Sequence, residues 1–181
     1  ALDKLLEAQD KPNHSNNDYQ DRQDALFEEY KQLGNGWRVH QFITMGSPLT
    51  HASMLLNRKP ADFDRKKQQR EFPTAPPQKD QEDKHFAFNY DYKKADGNPV
   101  TVKTLHHAAV FAVTQWTNMY YTNDWIGGAM APEFGAGVRD IELRAGNKGI
   151  RTVPMATHTR YWDKKEPGGL NEIRELLKRS K

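Results

Sequence analysis

The chain has 181 residues and a formal net charge of +3 from 27 Lys+Arg against 24 Asp+Glu, with 36% hydrophobic and 10% aromatic residues. That length supports one α/β-sized domain with its own core, and the aromatic content excludes general disorder. There are no cysteines, which excludes structural disulfides and thiolate metal sites, and no apolar run approaches the ~20 residues needed to span a bilayer.

Ala1 to Gln9 is helix-patterned, with Leu2, Leu5 and Leu6 on one side, and it starts without Met, as though inside an element. A polar turn over Lys11 to Asn17 precedes a helix from about Asp18 to Leu33, with Leu26, Phe27, Tyr30 and Leu33 at helical spacing and Gly34 as its stop. Trp37 to Met45 is rich in β-branched and aromatic residues and bounded by Gly36 and Gly46; it predicts a strand buried on both faces. Gly46-Ser47-Pro48 ends it, and a short helix over Thr50 to Leu56 is expected next. Asn57 to Lys84 is charged and punctuated by Phe72-Pro-Thr-Ala-Pro-Pro77, which predicts a surface excursion. Residues 57–100 as a whole read as an insertion of lid-like character.

His85 to Tyr92 alternates Phe86, Phe88, Tyr90 and Tyr92, as an edge strand or as part of the same excursion, and Gly97-Asn98-Pro99 makes a turn. His106 to Val113 is compact and apolar, compatible with helix or extended chain. Trp116 to Tyr121 predicts a strand that stops before Asp124, and Gly127, Gly128, Gly135 and Gly137 predict a flexible loop after it. Gly137 to Leu143 is a further strand, Gly146-Asn-Lys-Gly149 a turn, and His158 lies in the loop beyond. Leu170 to Ser180 places Leu170, Ile173, Leu176 and Leu177 on one face of an amphipathic helix. Strands alternating with helices indicate an α/β fold with a mostly parallel sheet, flanking helices and a charged, proline-containing insertion, within one domain spanning 1–181. The start lacks the basic-then-apolar pattern of a signal peptide; the lack of cysteines fits either a cytosolic or a non-disulfide extracytoplasmic protein, and a cytoplasmic location is the expectation.

Two residues carry candidate chemistry. Asp124 follows a strand expected in the sheet interior, so its carboxylate belongs at the C-terminal edge, where open α/β sheets build their sites. An acid there can hold a histidine ring in one tautomer and stabilise the imidazolium; the competing reading of Asn123-Asp124 is a surface turn or helix cap. His158, between Thr157 and Thr159, has the ionisation range of a general base and acid, although an isolated histidine is more often an ordinary surface or core-edge residue. Its place after Asp124, with one strand between, favours the functional reading.

The remaining motifs are weaker. Ser47 follows a strand, but a nucleophile elbow needs small residues two positions to either side, and these are Met45 and Leu49. Ser15, Ser53 and Ser180 lie in no such context, and the chain contains no G-x-S-x-G. His106-His107 are adjacent, with His40, His51, His85 and His158 scattered and no H-x-x-x-H spacing, so no metal site is expected. The glycine pairs match neither phosphate-binding pattern, and no organic cofactor is expected. The knot Arg65-Lys66-Lys67…Arg70 reads as a solvated helix face rather than a nucleic-acid surface.

At Phe42-Ile-Thr-Met-Gly-Ser-Pro-Leu-Thr50, Trp116-Thr-Asn…Asp124…Gly127-Gly128, Phe134-Gly-Ala-Gly-Val-Arg-Asp140 and His158-Thr-Arg-Tyr-Trp162, the chain resembles the C-terminal half of bacterial lipase-like α/β-hydrolases. The resemblance covers roughly Trp37 to Trp162. It implies that Asp124 is the triad acid, His158 the base, and Ser47 a structural strand-end residue. It further implies that Ala1 to Gln9 is the remainder of the helix leaving the nucleophile elbow, with the serine and oxyanion loop upstream of Ala1. The implied substrate is a small-molecule or lipid carboxylic ester. The alternative from a different class is a non-catalytic interaction module on a hydrolase-like scaffold, using the basic, proline-rich stretch Arg58 to Pro77 to dock a partner.

Overall fold

Residues 1–10, 16–57, 59–80, 85–143, 157–162 and 169–179 are described by the computed structural model. In chain order they form α1 (Leu2–Asp10), α2 (Asn16–Gln32), β1 (Gln41–Met45), a 3-10 turn (Pro48–His51) running into α3 (Ala52–Leu55), α4 (Pro60–Gln68), β2 (Ala87–Lys93), β3 (Pro99–Leu105), a second 3-10 turn (His107–Ala112), β4 (Gln115–Tyr121), α5 (Ala131–Phe134), β5 (Val138–Leu143) and α6 (Gly169–Arg179). Of the turn expected over Lys11 to Asn17, residues 11–15 lie outside the described residues and Asn16 and Asn17 open α2 instead; the turn expected over Gly146 to Gly149 lies outside the described residues. No described helix is long and apolar enough to cross a membrane.

Local chemistry sets several of these boundaries. Gly34 sits at φ +74°, where its N–H donates to Lys31 O and the N–H of Asn35 reaches back to Tyr30 O, both at 3.0 Å; this left-handed closure ends α2. Ser47 caps the turn after β1, its Oγ accepting from Leu49 N at 3.3 Å, with Pro48 in the first position.

The fold is mixed α/β, with a three-stranded sheet in the order β1-β4-β5 and a separate antiparallel hairpin, β2-β3. All pairing in the larger sheet is parallel, with Phe42 opposite Trp116 and Trp116 opposite Val138. On one face, Trp116 and Val138 pack with Ala52, Phe63, Met130 and Phe134. On the other, Met119, Tyr121 and Leu143 pack with Tyr161 and with Leu176 of α6. A third cluster joins Leu5 of α1 to Tyr19, Leu26 and Phe27 of α2 and to Phe86, Ala112 and Val113. The strand buried on both faces is β4, which the sheet order places centrally. β1, expected to be buried on both faces, is an edge strand among the described residues, paired there with β4 alone, and its Phe42 is 41% exposed.

Three further expectations need correction. Leu33 and Leu177, both expected on an apolar helix face, are 77% and 56% exposed, and Leu33 lies in the turn just past the end of α2. The stretch after Asn57 is not a surface excursion. Phe63 of α4 is buried, and Ala75 lies against the link from α5 to β5, its N–H donating to Phe134 O at 2.8 Å and its carbonyl accepting from Gly137 N at 2.7 Å. The glycines expected to loosen the loop instead allow close contact: a Cβ at Gly135 or Gly137 would stand 2.6 Å from the Ala75 backbone. Charged neighbours conceal this in the sequence, since α4 has one buried apolar side chain among nine residues. The strand over His85 to Tyr92 has an antiparallel partner, β3, not among the expected elements although Val100, Thr101, Val102 and Thr104 are β-branched; Ala87 faces Leu105 and Lys93 faces Pro99.

If α4 is core, Phe63→Ala should lower the free energy of unfolding by about 3–5 kcal/mol. Denaturant melts measure this; a loss below about 0.5 kcal/mol, normal for a surface site, would return α4 to the solvated class.

Candidate functional site

β4 delivers Asp124 to the C-terminal edge of the sheet. The strand ends at Tyr121, and a tight turn in which Asp124 N donates to Tyr121 O at 2.9 Å brings the side chain back over the strand end. Its carboxylate is fully buried, so every lone pair needs a donor. Ile126 N donates to Oδ1 at 3.0 Å, and the Tyr161 hydroxyl donates to Oδ2 at 2.7 Å. His158 Nδ1 lies 3.0 Å from Oδ2 and 3.2 Å from Oδ1.

The structure thus brings together the two residues that the sequence singles out, 34 positions apart. Burial pushes the Asp124 carboxyl up, but the hydrogen bonds from Tyr161, His158, Ile126 N and Gly127 N together outweigh it, and the group is held below the usual aspartate range. The histidine beside it is more open, its side chain 32% exposed. With Nδ1–H donated to the acid, Nε2 carries the lone pair, and among the described residues it has no hydrogen-bond partner. That is the arrangement of a base awaiting a proton donor.

Sequence reasoning missed Tyr161. Its buried hydroxyl both donates to Asp124 and accepts from Tyr121 N at 3.1 Å, so it ties the acid to the last residue of β4. Burial, and then the bond to the anionic acid, raise its own ionisation well above the usual tyrosine value. The ring lies over Gly46, where a Cβ would stand 2.5 Å from Tyr161 Cε2, and a Cβ on Gly127 would stand 2.5 Å from Gly46 Cα. Those contacts explain the glycines after β1 and after Asp124. The Tyr-Trp pair following His158 was visible in the sequence, but nothing there says that one of its rings folds under the acid.

A second layer fixes the loop between Asp124 and α5. Asn118 of β4, fully buried, donates to Gly128 O at 2.9 Å and to Asp140 Oδ1 at 2.7 Å and accepts from Thr44 Oγ1 at 3.1 Å. Asp140 of β5 in turn accepts from Met130 N and Ala131 N, at the start of α5. Thr50 Oγ1 donates to Ala129 O at 2.7 Å, which explains why residue 128 is glycine: a Cβ there would approach that hydroxyl to 2.9 Å.

The other candidates fall elsewhere. Ser47 Oγ is engaged with Leu49 N, as a cap, and Ser53 Oγ donates to Glu133 Oε1 at 2.9 Å. His106 is structural: its buried ring accepts from Ala108 N at Nδ1, and burial followed by the neighbouring His107 lowers its ionisation. Among the described residues no group of three or more His, Asp or Glu converges as a metal site. In the basic knot, Arg65, Lys67 and Arg70 pair with Asp62, Asp64 and Asp80 at 3.7, 2.8 and 3.0 Å. One more His–Asp pair, unforeseen, links His40 Nε2 to Asp24 Oδ1 at 2.7 Å at the opposite end of the strands. There burial raises the acid overall, and the His40 ring is stacked on Phe27.

Comparison of the chain with protein-family models, with curated proteins and with solved structures finds no match.

Asp124 should titrate below the ordinary aspartate value of about 3.9. Its folded ionisation is depressed, so its contribution to stability is present above pH ~4 and lost as pH falls through the folded value. Carbon-13 carboxyl titration checks this, and Tyr161→Phe should move the Asp124 midpoint upward; an unchanged midpoint would remove the hydroxyl from the acid's support.

Proposed function

We propose that this chain carries the acid and the base of a serine hydrolase acting on carboxylic esters, in the manner of lipase-like α/β-hydrolases. The observation that carries the reading is the His158–Asp124 pair at 3.0 Å, at the C-terminal edge of a parallel sheet. The chain order is also that of the family: strand β4, acid, strand β5, histidine. The nucleophilic serine, in this reading, comes from a segment outside these 181 residues. β1 supports that assignment because, among the described residues, it pairs with β4 alone, and its other edge could take one more parallel strand. A serine at the C-terminal end of such a strand would stand beside β1 on the same edge as Asp124.

In the assembled site His158 Nε2 accepts the serine proton as Oγ attacks the ester carbonyl, while Asp124 holds Nδ1–H and stabilises the imidazolium. The imidazolium then returns that proton to the departing alkoxide, giving the alcohol and an acyl-enzyme. Water repeats the sequence: His158 takes its proton, the acyl–serine bond breaks, and acid and free serine are released. Backbone N–H donors supplied with the serine would hold the oxyanion.

The interaction-module reading has one observation in its favour, the exposed hairpin face on which Tyr90 and Tyr92 stack with ring centroids 6.1 Å apart. The proline-rich stretch offers it less, since Thr74 and Ala75 are buried within this chain.

The test is fluorophosphonate labelling of the protein that includes the chain's native upstream portion, with peptide mapping of the adduct and ester turnover. The expected label lies on a serine upstream of Ala1, and His158→Ala and Asp124→Asn each reduce turnover by about 10⁴-fold without unfolding the protein. A folded protein that takes no label, or keeps its turnover in both variants, ends the hydrolase reading.

A further inference from the structure

Tyr161 lies closer to the acid than His158 does. Its hydroxyl donates to Asp124 Oδ2 at 2.7 Å, and the same oxygen is the one that His158 Nδ1 approaches to 3.0 Å. Two donors therefore share one oxygen. A charge-assisted O–H···O⁻ bond of that length is a strong one, and the negative charge it neutralises is no longer available to stabilise an imidazolium.

The hydroxyl is held in that place from several sides. It accepts from Tyr121 N at 3.1 Å, which polarises the O–H as a donor. The ring is buried, packs against the Tyr121 ring with centroids 4.9 Å apart, and meets the His158 ring edge-on at 6.3 Å and 81°. Behind it, a Cβ at Gly169 would stand 2.6 Å from Tyr161 O, so the start of α6 closes on its backbone. One side chain thus touches the acid and the base together.

We propose that Tyr161 is a positioning residue of the hydrolase site: it fixes Asp124 against the end of β4 and, by occupying part of Oδ2, limits how strongly the acid supports a protonated His158, which extends the working range of the base to lower pH. This rests on the ester-hydrolase reading, although the coupling from hydroxyl to imidazole through Oδ2 can be measured without turnover. The other ionisable groups on the elements around the pair are Tyr121 of β4, His51, whose Nε2 lies 3.4 Å from Trp125 O, Arg160 beside the histidine, Asp140 and Glu142 of β5, which accept from Asn118 and Thr122, and Glu172, Arg174, Glu175 and Lys178 of α6. All of these are retained when the hydroxyl alone is removed.

Tyr161→Phe, made in the protein that includes the chain's native upstream portion, keeps the ring and deletes only the hydroxyl. The low-pH limb of its kcat/KM profile should move up by about half a pH unit or more, with KM changed by less than about twofold, and the pH at which the His158 imidazole nitrogen-15 shifts cross over should rise with it. In Asp124→Asn, where no anionic acid remains to be tuned, adding Tyr161→Phe should leave that crossover in place. The proposal is overturned by a limb and a crossover that stay in place or move down, by an equal rise in the Asp124→Asn background, or by a Tyr161→Phe protein that no longer folds, which would make the hydroxyl a structural tie. If the parent turns over no ester, the hydrolase reading fails on its own; a crossover that rises in Tyr161→Phe then still upholds the coupling, and one that does not overturns it.

Discussion

The buried carboxylate of Asp124 is the constraint on which the C-terminal edge of the sheet depends. A charge fully removed from water is tolerable only when donors surround it, and here they arrive from separate parts of the chain: the backbone after the turn, the Tyr161 hydroxyl and the His158 ring. Each donor needs room. Tyr161 can reach the acid only because residue 46 lacks a side chain, and the loop carrying Ile126 can close on β1 only because residue 127 does too. The glycines are therefore consequences of the acid's burial.

Two His–Asp pairs of similar length show why distance alone does not define a site. Both acids feel burial, but Asp124 has enough hydrogen-bond donors to end below the usual range, whereas Asp24 ends above it, with two neighbouring carboxylates, Asp21 and Glu28, adding to the rise. Asp124 therefore gives up its proton more readily than an ordinary aspartate, and Asp24 less readily. The rings differ too. His40 presents Nε2 to its acid and lies against Phe27, tying α2 to the start of β1, whereas His158 presents Nδ1 and keeps the outer nitrogen available. The first pair is a structural tie, and the second has the polarity of a catalytic one.

What the sequence made legible follows from how local each signal is. β4 and β5, Gly34 as a helix stop, and the order of Asp124 and His158 are written in short apolar runs and punctuating residues. The burial of Phe63 and Ala75 was hidden because their partners, Phe134, Gly135 and Gly137, lie about sixty to seventy residues on, and because charged neighbours dominate the local composition. The edge position of β1 was hidden for a related reason: a run of apolar and β-branched residues looks the same whether one side or both are paired. Tyr161 was visible as a residue but not as a partner, since its role depends on a fold that brings it under Gly46.

Asp124 and His158 are held by supports that lie wholly within this chain, so in the proposed hydrolase reading they are assembled in advance of any nucleophile. Tyr161 fastens Asp124 to β4 on one face of the sheet, and on the other Asn118 and Asp140 fasten the following loop through Gly128 O and the first N–H groups of α5. A loop held on both faces has little freedom left to lose when a substrate or a serine arrives, and such preorganisation is what lets positioned groups act on a transition state without further rearrangement. The edge of β1 that has no partner among the described residues lies beside these supports rather than among them. In the reading proposed above, a strand added there would meet a carboxylate and an imidazole already oriented, and would need to bring only the hydroxyl and the donors for its oxyanion.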